Sequence, residues 1–370
     1  MYIAANEANV ASDPLTQTRQ LGRYRIMRLL GEGGMSFVYL AFDPQRSSMV
    51  ALKVLKPSLA ANQTALRRFR REARIGCTLS HPNITRAYAF EVDPATGVFF
   101  IVMELVNGHD LQSLLDQGHR VSVARAVSIA IDIVQALAYM HGQHLIHRDV
   151  KPGNILMTTE GQAKLSDFGL VKRQHASDDQ LTSCDRVFGT THYMPWEQSV
   201  SASLVDARGD LYAVGATLYH LLTGVVPFDG NDHQEVMANK QRGLFVPARQ
   251  RNPQIPASLD RIITRLLQAD PSNRYASARE LLAELEALGL DGAAEPMPGL
   301  DRTLTSCAQP TRLDLPESMA LSIMPTERPA HHAAQPAAYL PAFASRLNIV
   351  LCVGLVTLAA GIACRVLGYT

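Results

Sequence analysis

Apolar and polar residues alternate through YRIMRLLGEGGMSFVYLAFDP, beginning at Tyr24, around a cluster of glycines, and VALKVL follows after a short turn. A period of two marks half-buried strands, so this stretch predicts successive antiparallel strands at the start of the fold. From Thr64 to Leu79 the spacing becomes helical, with a basic face of Arg67, Arg68, Arg70, Arg71 and Arg74; Phe99 to Leu105 (FFIVMEL) reads as a strand again. After Gly108 the pattern is mainly helical. VARAVSIAIDIVQALAYMHGQ predicts a long helix ending near Gly142, LYAVGATLYHLLTG one ending at Gly224, and LDRIITRLLQ and ASARELLAELEALG two more. Strands first and helices afterwards imply an α+β fold of two lobes, small and β-rich then larger and helical, with a cleft between them where a ligand would sit.

The flanks lack this periodicity. Residues 1–22 are polar and unpatterned and are expected to be disordered; they carry neither a basic nor an apolar leader region, so no cleaved signal peptide is expected. Residues 290–345 hold eight prolines, from Pro296 to Pro341, among Ala, Ser and Thr, and read as a disordered linker. Residues 346–367 differ. The run LNIVLCVGLVTLAAGIAC is free of charge, is bracketed by Arg346 and Arg365, and as a helix would be about 27 Å long, which predicts a single membrane-spanning helix followed by a short outer tail, 368–370. The globular part between the flanks is residues 23–289, without internal repeats.

With 370 residues and 47% hydrophobic content, the chain is long enough for a large folded domain. Thirty-five Lys plus Arg against thirty-four Asp plus Glu leave a net charge of +1, which excludes a general electrostatic attraction to nucleic acid. Five scattered cysteines with no C-x-x-C pair imply a reducing compartment and no structural zinc.

The chemistry concentrates in four places. Gly31-Glu32-Gly33-Gly34-Met35-Ser36-Phe37-Val38 lies between two predicted strands, where small residues would let backbone N–H groups approach phosphates; it opens no helix and lacks a following G-K-[ST], which disfavours a dinucleotide turn or a Walker loop. Val50-Ala51-Leu52-Lys53 puts a lysine on an apolar strand, and a buried ammonium needs an anionic partner; Glu72, the first carboxylate of the next helix, is the natural candidate. His147-Arg148-Asp149-Val150-Lys151-Pro152-Gly153-Asn154 gathers a carboxylate, a cation and an amide in a loop after the long helix. Asp167-Phe168-Gly169 follows a short strand, so that Asn154 and Asp167 could hold a divalent cation through oxygen atoms. His147 alone reads as a packing residue, and His331-His332 as solvated linker.

The joint order of glycine loop, V-A-x-K, helical Glu, H-R-D-x-K-P-x-N, D-F-G and a downstream G-T and Glu resembles the protein kinase superfamily, specifically the Ser/Thr kinases of bacterial type, over about Tyr24 to Leu288. The resemblance implies a bilobal kinase fold and a non-specific Ser/Thr protein kinase using ATP with Mg²⁺, Mn²⁺ being an alternative. It makes Gly31, Glu32, Gly33, Gly34, Met35, Ser36 and Val38 the lid over the phosphates. It puts Val38 and Ala51 against adenine, Leu156 among the nucleotide-binding residues, Met103 as gatekeeper, and Glu104, Leu105 and Val106 as the hinge. Lys53 would hold the α and β phosphates and pair with Glu72. Asp149 would be the catalytic base, Lys151 would steady the γ-phosphate, and Asn154 and Asp167 would hold the metal. Lys151, two places after Asp149, and Thr190 in VFGTTHY resemble the Ser/Thr rather than the Tyr pattern.

Regulation follows from the same resemblance. Arg148 resembles the arginine on which a phosphorylated activation loop docks, with Thr182 the first and Ser183 the second candidate for autophosphorylation. A catalytically dead scaffold is disfavoured by intact Lys53, Asp149, Asn154 and Asp167, and a small-molecule kinase by Lys151 and the Thr190 segment. ATP use is expected to put the kinase domain in the cytoplasm of a single-pass cell-membrane protein with no room for an outer sensor, so input is expected from a membrane partner, from dimerisation or through the linker; the expected partners are ATP, protein substrates, the membrane and a second copy of the chain. Three departures stand out: Pro195-Trp196-Glu197 where the family has A-P-E, with Glu197 expected to pair with Arg274; Ser36 in place of the third glycine; and Gly76 where many kinases have a larger residue, which implies a looser active arrangement. Asp210 is expected to brace the catalytic-loop backbone.

Overall fold

A computed structural model describes residues 19–119, 121–169, 171–173, 191–201 and 205–290. The first lobe is one antiparallel sheet built from β1 (Gln20–Leu21), β2 (Tyr24–Glu32), β3 (Ser36–Asp43), β4 (Ser48–Leu55), β5 (Ala87–Val92) and β6 (Phe99–Glu104), in the order β1-β2-β3-β4-β6-β5. Two helices interrupt it, the single turn α1 (Pro57–Ala60) and α2 (Gln63–Gly76). The alternation seen in the sequence sorts residues to the two faces. Tyr24, Ile26, Tyr39, Leu52 and Val102 form a cluster on one side, while Leu30, Val38, Ala51 and Met103 cluster with Leu66, Phe69 and Ala73 of α2 on the other. α2 begins where Asn62 Oδ1 accepts from the amides of Thr64 and Ala65 at 3.0 and 3.1 Å. It ends at Gly76, three residues earlier than the periodicity predicts.

The expected disordered segment 1–22 is corrected at its end: β1 pairs with β2, and Leu21 is fully buried in the sheet cluster. Apolar burial of that side chain holds the strand down.

The second lobe starts with the small strands β7 (Gly108–Asp110), β8 (Leu145–Ile146), β9 (Ile155–Thr158), β10 (Ala163–Leu165) and β11 (Lys172–Arg173), paired as β10-β9-β7 and β11-β8. Its helices are α3 (Leu111–Asp116), α4 (Val123–Gly142), α5 (Trp196–Val200), α6 (Ala207–Thr223), α7 (His233–Arg242), α8 (Ala248–Arg251), α9 (Ala257–Leu266) and α10 (Ala278–Glu286). α4 packs against α6 and α10, and α6 against α9, around one core whose residues run from Ile75, Leu79 and Ile84 on to Leu285. α6 stops at Gly224, whose φ of 77° closes the helix in the left-handed conformation that glycine adopts without cost. Among the described residues, α4 alone is long and apolar enough to cross a membrane by length and composition, and it forms the centre of the helical core. The predicted spanning helix at 346–367 and the linker at 290–345 lie outside the described residues, apart from Leu290.

Candidate active site

The glycine loop is the hairpin between β2 and β3. Gly33 N–H donates to Ser36 O at 2.7 Å, and Lys56 N–H to Met35 O at 3.0 Å, so the loop is tied at both ends. A side chain at Gly34 would meet nothing within 4 Å, which leaves the tip open over the cleft. Glu32 gives its carboxylate to Lys56 at 2.6 Å. Below the loop, register pairs Val38 with Lys53 and Ala51 with Met103, and all four are buried or nearly so, as is Leu156. Val38, Ala51, Met103 and Leu156 therefore offer apolar surface on the cleft side of β3, β4, β6 and β9.

Lys53 Nζ lies 2.5 Å from Glu72 Oε1 and 3.2 Å from Asp167 Oδ1, joining β4, α2 and the loop after β10. Burial pushes Glu72 up to about 7, against the pull of Lys53. Desolvation in the cleft would raise Asp167 as well, but the Lys53 and Lys151 ammonium groups outweigh it and bring this carboxyl to about 2. Asp167 holds a φ of 66°, a conformation a non-glycine residue keeps only where its surroundings enforce it. Gly169 N–H donates to Asp167 Oδ1 at 3.3 Å. Phe168 turns inward, 2% exposed, with its ring edge-on to His147 at 5.7 Å.

The looser arrangement expected from Gly76 is corrected here. A Cβ at Gly76 would stand 3.0 Å from Ala87 Cβ and 3.6 Å from Phe168 Cδ2, so the neighbours have closed over the missing side chain.

The catalytic loop is held from below by Asp210 at the start of α6. Its Oδ2 accepts from His147 N at 2.9 Å and its Oδ1 from Arg148 N at 2.7 Å, while His141 Nε2 approaches Oδ2 at 2.8 Å. Arg148 is the second strained residue, with φ 69°. His147 is fully buried; its Nε2–H donates to Ser166 O at 3.2 Å and its Nδ1 accepts from Asp149 N at 3.3 Å, the packing role expected of it. Asp149 Oδ2 accepts from Lys151 Nζ at 2.8 Å and from Asn154 Nδ2 at 2.9 Å. Asp149 Oδ1 is buried and has no hydrogen-bond partner among the described residues. Burial raises the Asp149 pKa, with Lys151 opposing it.

On the far wall, Tyr193, Met194, Pro195 and Gln198 border the cavity that opens at Arg148 and Asp149. Glu197 and Arg274 form the expected pair, doubly bonded at 2.6 and 3.1 Å and buried. Trp196 Nε1–H donates to Ala269 O at 2.8 Å, giving the unusual Trp an anchor on the helical lobe.

The structure thus brings Lys53, Glu72, Asp167, Asp149, Lys151 and Asn154 to one cleft, with the glycine loop and the hinge at its rim. Thr182, Ser183 and Thr190 lie outside the described residues. Sequence reasoning missed Lys164, whose Nζ bonds Glu104 Oε1 at 2.9 Å and fastens the hinge to β10. A single lysine on a three-residue strand carries no signal that would have found it.

Asn154 and Asp167 offer oxygen donors suited to a divalent cation. Asn154 directs its amide nitrogen to Asp149 O and Oδ2, which leaves its oxygen for a cation, and Asp167 is held ionised beside it. One carboxylate and one amide oxygen fit a hard cation that keeps water and phosphate oxygens as its other ligands. The residues fit.

Comparison with known proteins agrees with this geometry. A family profile described as "Protein kinase domain" matches residues 24–285, more than half of the chain. The chain is 36% identical over 265 residues to the serine/threonine-protein kinase PrkC of Bacillus subtilis, covering 72% of this chain and 40% of that protein. It is 38% identical over 265 residues to the serine/threonine-protein kinase PknB of Mycobacterium tuberculosis, covering 71% of this chain and 42% of that protein. The match thus spans about two fifths of the length of these relatives. The crystal structure of the Mycobacterium tuberculosis PknI kinase domain superposes with a TM-score of 0.56 at 29% identity, covering 73% of this chain and 97% of that domain. The chain belongs to the protein kinase family, and its fold is the kinase fold.

Proposed function

We propose, with that membership as the premise, that the chain is a Ser/Thr protein kinase that moves the γ-phosphoryl group of ATP to Ser and Thr hydroxyls of proteins. The observation that carries this reading is Asp149, one oxygen held by Lys151 and Asn154 and the other buried without a partner among the described residues. An acceptor so placed suits a substrate hydroxyl. As the hydroxyl oxygen bonds to the γ-phosphorus, its proton passes to Asp149 Oδ1, the bond from phosphorus to the bridging oxygen breaks, and ADP carries the electron pair away. Lys53 holds the α and β phosphates, and Lys151 offsets the charge on the group in flight. Val38, Ala51, Met103 and Leu156 take the adenine ring by apolar contact, and the backbone of Glu104 and Val106 its edge. Asn154 and Asp167 would hold magnesium, or manganese in its place, which would supply charge neutralisation for the phosphates.

Two regulatory expectations belong to the same reading. A phosphate on Thr182, or on Ser183, would add about −1.5 to −2 charge near Arg148 and the basic face of α2. Tethering through 346–367 would hold the kinase at the inner face of a membrane, and fractionation of cells with and without those residues tests it.

The activity is tested by transfer of labelled γ-phosphate by the full chain to itself and to a generic Ser/Thr protein, with mass spectrometric mapping. Label on Ser or Thr that is lost in Asp149→Asn and Lys53→Met supports the reading. Folded, nucleotide-binding wild type that transfers nothing would turn it toward a scaffold.

A further inference from the structure

The cavity beside Asp149 is walled by a short stretch of chain, and that stretch is held by an unusual group. Lys240, on α7, is fully buried. Its Nζ donates to Thr191 O at 2.6 Å, His192 O at 2.8 Å and Met194 O at 2.6 Å. An ammonium has three N–H donors, and here each finds a backbone carbonyl; burial pulls the Lys240 pKa well below the ordinary lysine value, and the carbonyls are what favours the charged form against it. A neutral amine would leave one carbonyl without its donor. The Tyr212 ring, 5.5 Å from Nζ, adds a second favourable contact, and the same ring takes the Arg274 guanidinium at 4.7 Å. Glu197 is committed to Arg274 by two hydrogen bonds, so Lys240 is balanced chiefly by the carbonyls it clamps.

Side chains reinforce the clamp on the same residues. Thr191 Oγ1 lies 3.1 Å from His233 Nδ1, and Tyr193 Oη lies 2.7 Å from His220 Nδ1. Residues 191–194 are thereby fixed to α6 and α7 from both backbone and side chain. Tyr193 and Met194 are the ones that turn toward Asp149.

We propose that Lys240 is a positioning residue for the protein substrate: its buried Nζ, bonded to three carbonyls, fixes the Thr191–Met194 backbone as the wall against which the acceptor segment lies. Lys240 touches neither the reacting atoms nor the nucleotide pocket, so it acts on peptide binding and alignment rather than on ATP. The proposal rests on the phosphotransferase reading above. Loss of the clamp lets the wall adopt other backbone arrangements, and a misplacement of about 1 Å at a distance from the chemistry is enough to impair alignment.

The test compares full-length wild type, Lys240→Met and Lys240→Arg with a Ser-containing peptide, measuring KM and kcat for peptide and for ATP, together with amide hydrogen exchange. For Lys240→Met the peptide KM is expected to rise on the order of tenfold while the ATP KM stays within about twofold, with faster exchange confined to residues 191–197. Lys240→Arg keeps the charge, but its planar fork cannot reach the same three carbonyls, so a smaller rise, about threefold, is expected. An unchanged peptide KM with unchanged exchange in Lys240→Met overturns the proposal. Should Lys240→Met fail to fold, unchanged exchange and KM in Lys240→Arg overturns it instead. A folded wild type that transfers no phosphate sinks the phosphotransferase reading and the substrate role with it, whereas active wild type with an unmoved KM sinks the role of Lys240 alone.

Discussion

Glu72 Oε1 lies 2.5 Å from Lys53 Nζ, at the point where α2 meets the sheet, and both side chains are nearly closed to solvent. A pair in that setting gains strongly from mutual attraction and loses strongly from desolvation, so its state depends on which effect wins at a given pH. Burial is the larger influence on Glu72, which titrates at about 7 instead of 4.5. The contact that locks α2 against β4 is therefore poised near neutrality.

The sign of the resulting pH dependence is fixed by that shift. A carboxyl whose folded pKa lies above its unfolded value is favoured by folding in its protonated form, so stability is lost as pH rises from 4.5 through about 7, while the ion pair forms over the same interval. Transfer activity is expected to fall as pH drops through about 7. Glu72→Gln should lower kcat on the order of tenfold or more and remove both the inflection in activity and the stability slope between those values. A pH series of initial rates beside urea midpoints checks this, and an inflection that survives in Glu72→Gln would assign it to another group.

The buried pair Arg274–Glu197 is closed to solvent and joined by two hydrogen bonds. Arg274→Met leaves Glu197 buried without its two hydrogen bonds and is expected to cost about 3–5 kcal/mol of stability. Removing both charges, as Arg274→Met with Glu197→Leu, should restore part of that loss. Chemical denaturation of the two singles and the double gives the coupling, and additive costs would show that the pair itself contributes nothing.

How far the sequence reaches is clearest from residues that differ in kind. Lys53, Glu72, Asp149, Asn154 and Asp167 could be named beforehand because their order along the chain resembles the protein kinase pattern, and the fold then has only to bring them together. Asp210 under the catalytic loop and Arg274 opposite Glu197 were legible for the same reason. Lys240 was not, since a lysine in HQEVMANKQR reads as a solvated helix residue and becomes a clamp only when carbonyls 49, 48 and 46 residues away are folded onto it. The Glu104–Lys164 tie and strand β1 escaped similarly, each resting on partners that no local period encodes. Gly76 was legible as a departure but not in its consequence, because only the packed structure shows Ala87 and Phe168 filling the space.

Two histidines, His147 buried and His220 half-buried, make the chain acid-sensitive. His147 and His220 each have a lowered pKa, chiefly through burial; Asp210, Asp149 and Asp167 oppose it for the first, whereas His192 adds to it for the second. His147 Nδ1 accepts a hydrogen bond from Asp149 N that protonation would break, and His220 Nδ1 lies 2.7 Å from Tyr193 Oη. Both therefore stay neutral in the native state below pH 6.5, where the unfolded chain takes up protons, and stability is lost as pH falls. Each such proton contributes a slope of up to about 1.4 kcal/mol per pH unit. Denaturation between about pH 5 and 7 should show the slope shallower by about one proton in His220→Gln. An unchanged slope there would mean that His220 accepts its proton while folded.

Gly76 offers the most direct test of how the two lobes are joined. It is the last residue of α2, four beyond Glu72, and a Cβ placed on it comes within 3.0 Å of Ala87 Cβ, a separation real side chains do not tolerate without movement. Any longer side chain must also displace Phe168, whose Cδ2 is 3.6 Å away and whose neighbour Asp167 reaches Lys53. Gly76→Leu is thus expected to cost about 1–3 kcal/mol by overpacking and to lower transfer activity by more than the folded fraction explains, because the strain falls on the loop that aims Asp167. The smaller change Gly76→Ala presses on Ala87 alone, so combining it with Ala87→Gly should recover the loss, whereas Gly76→Leu gains little from the same partner. Thermal midpoints and kcat for the two single variants and the two doubles separate the contacts: recovery in the Ala–Gly double with none in the Leu–Gly double identifies Phe168 as the residue that excludes side chains longer than alanine at this position, and equal recovery in both would place the constraint on Ala87.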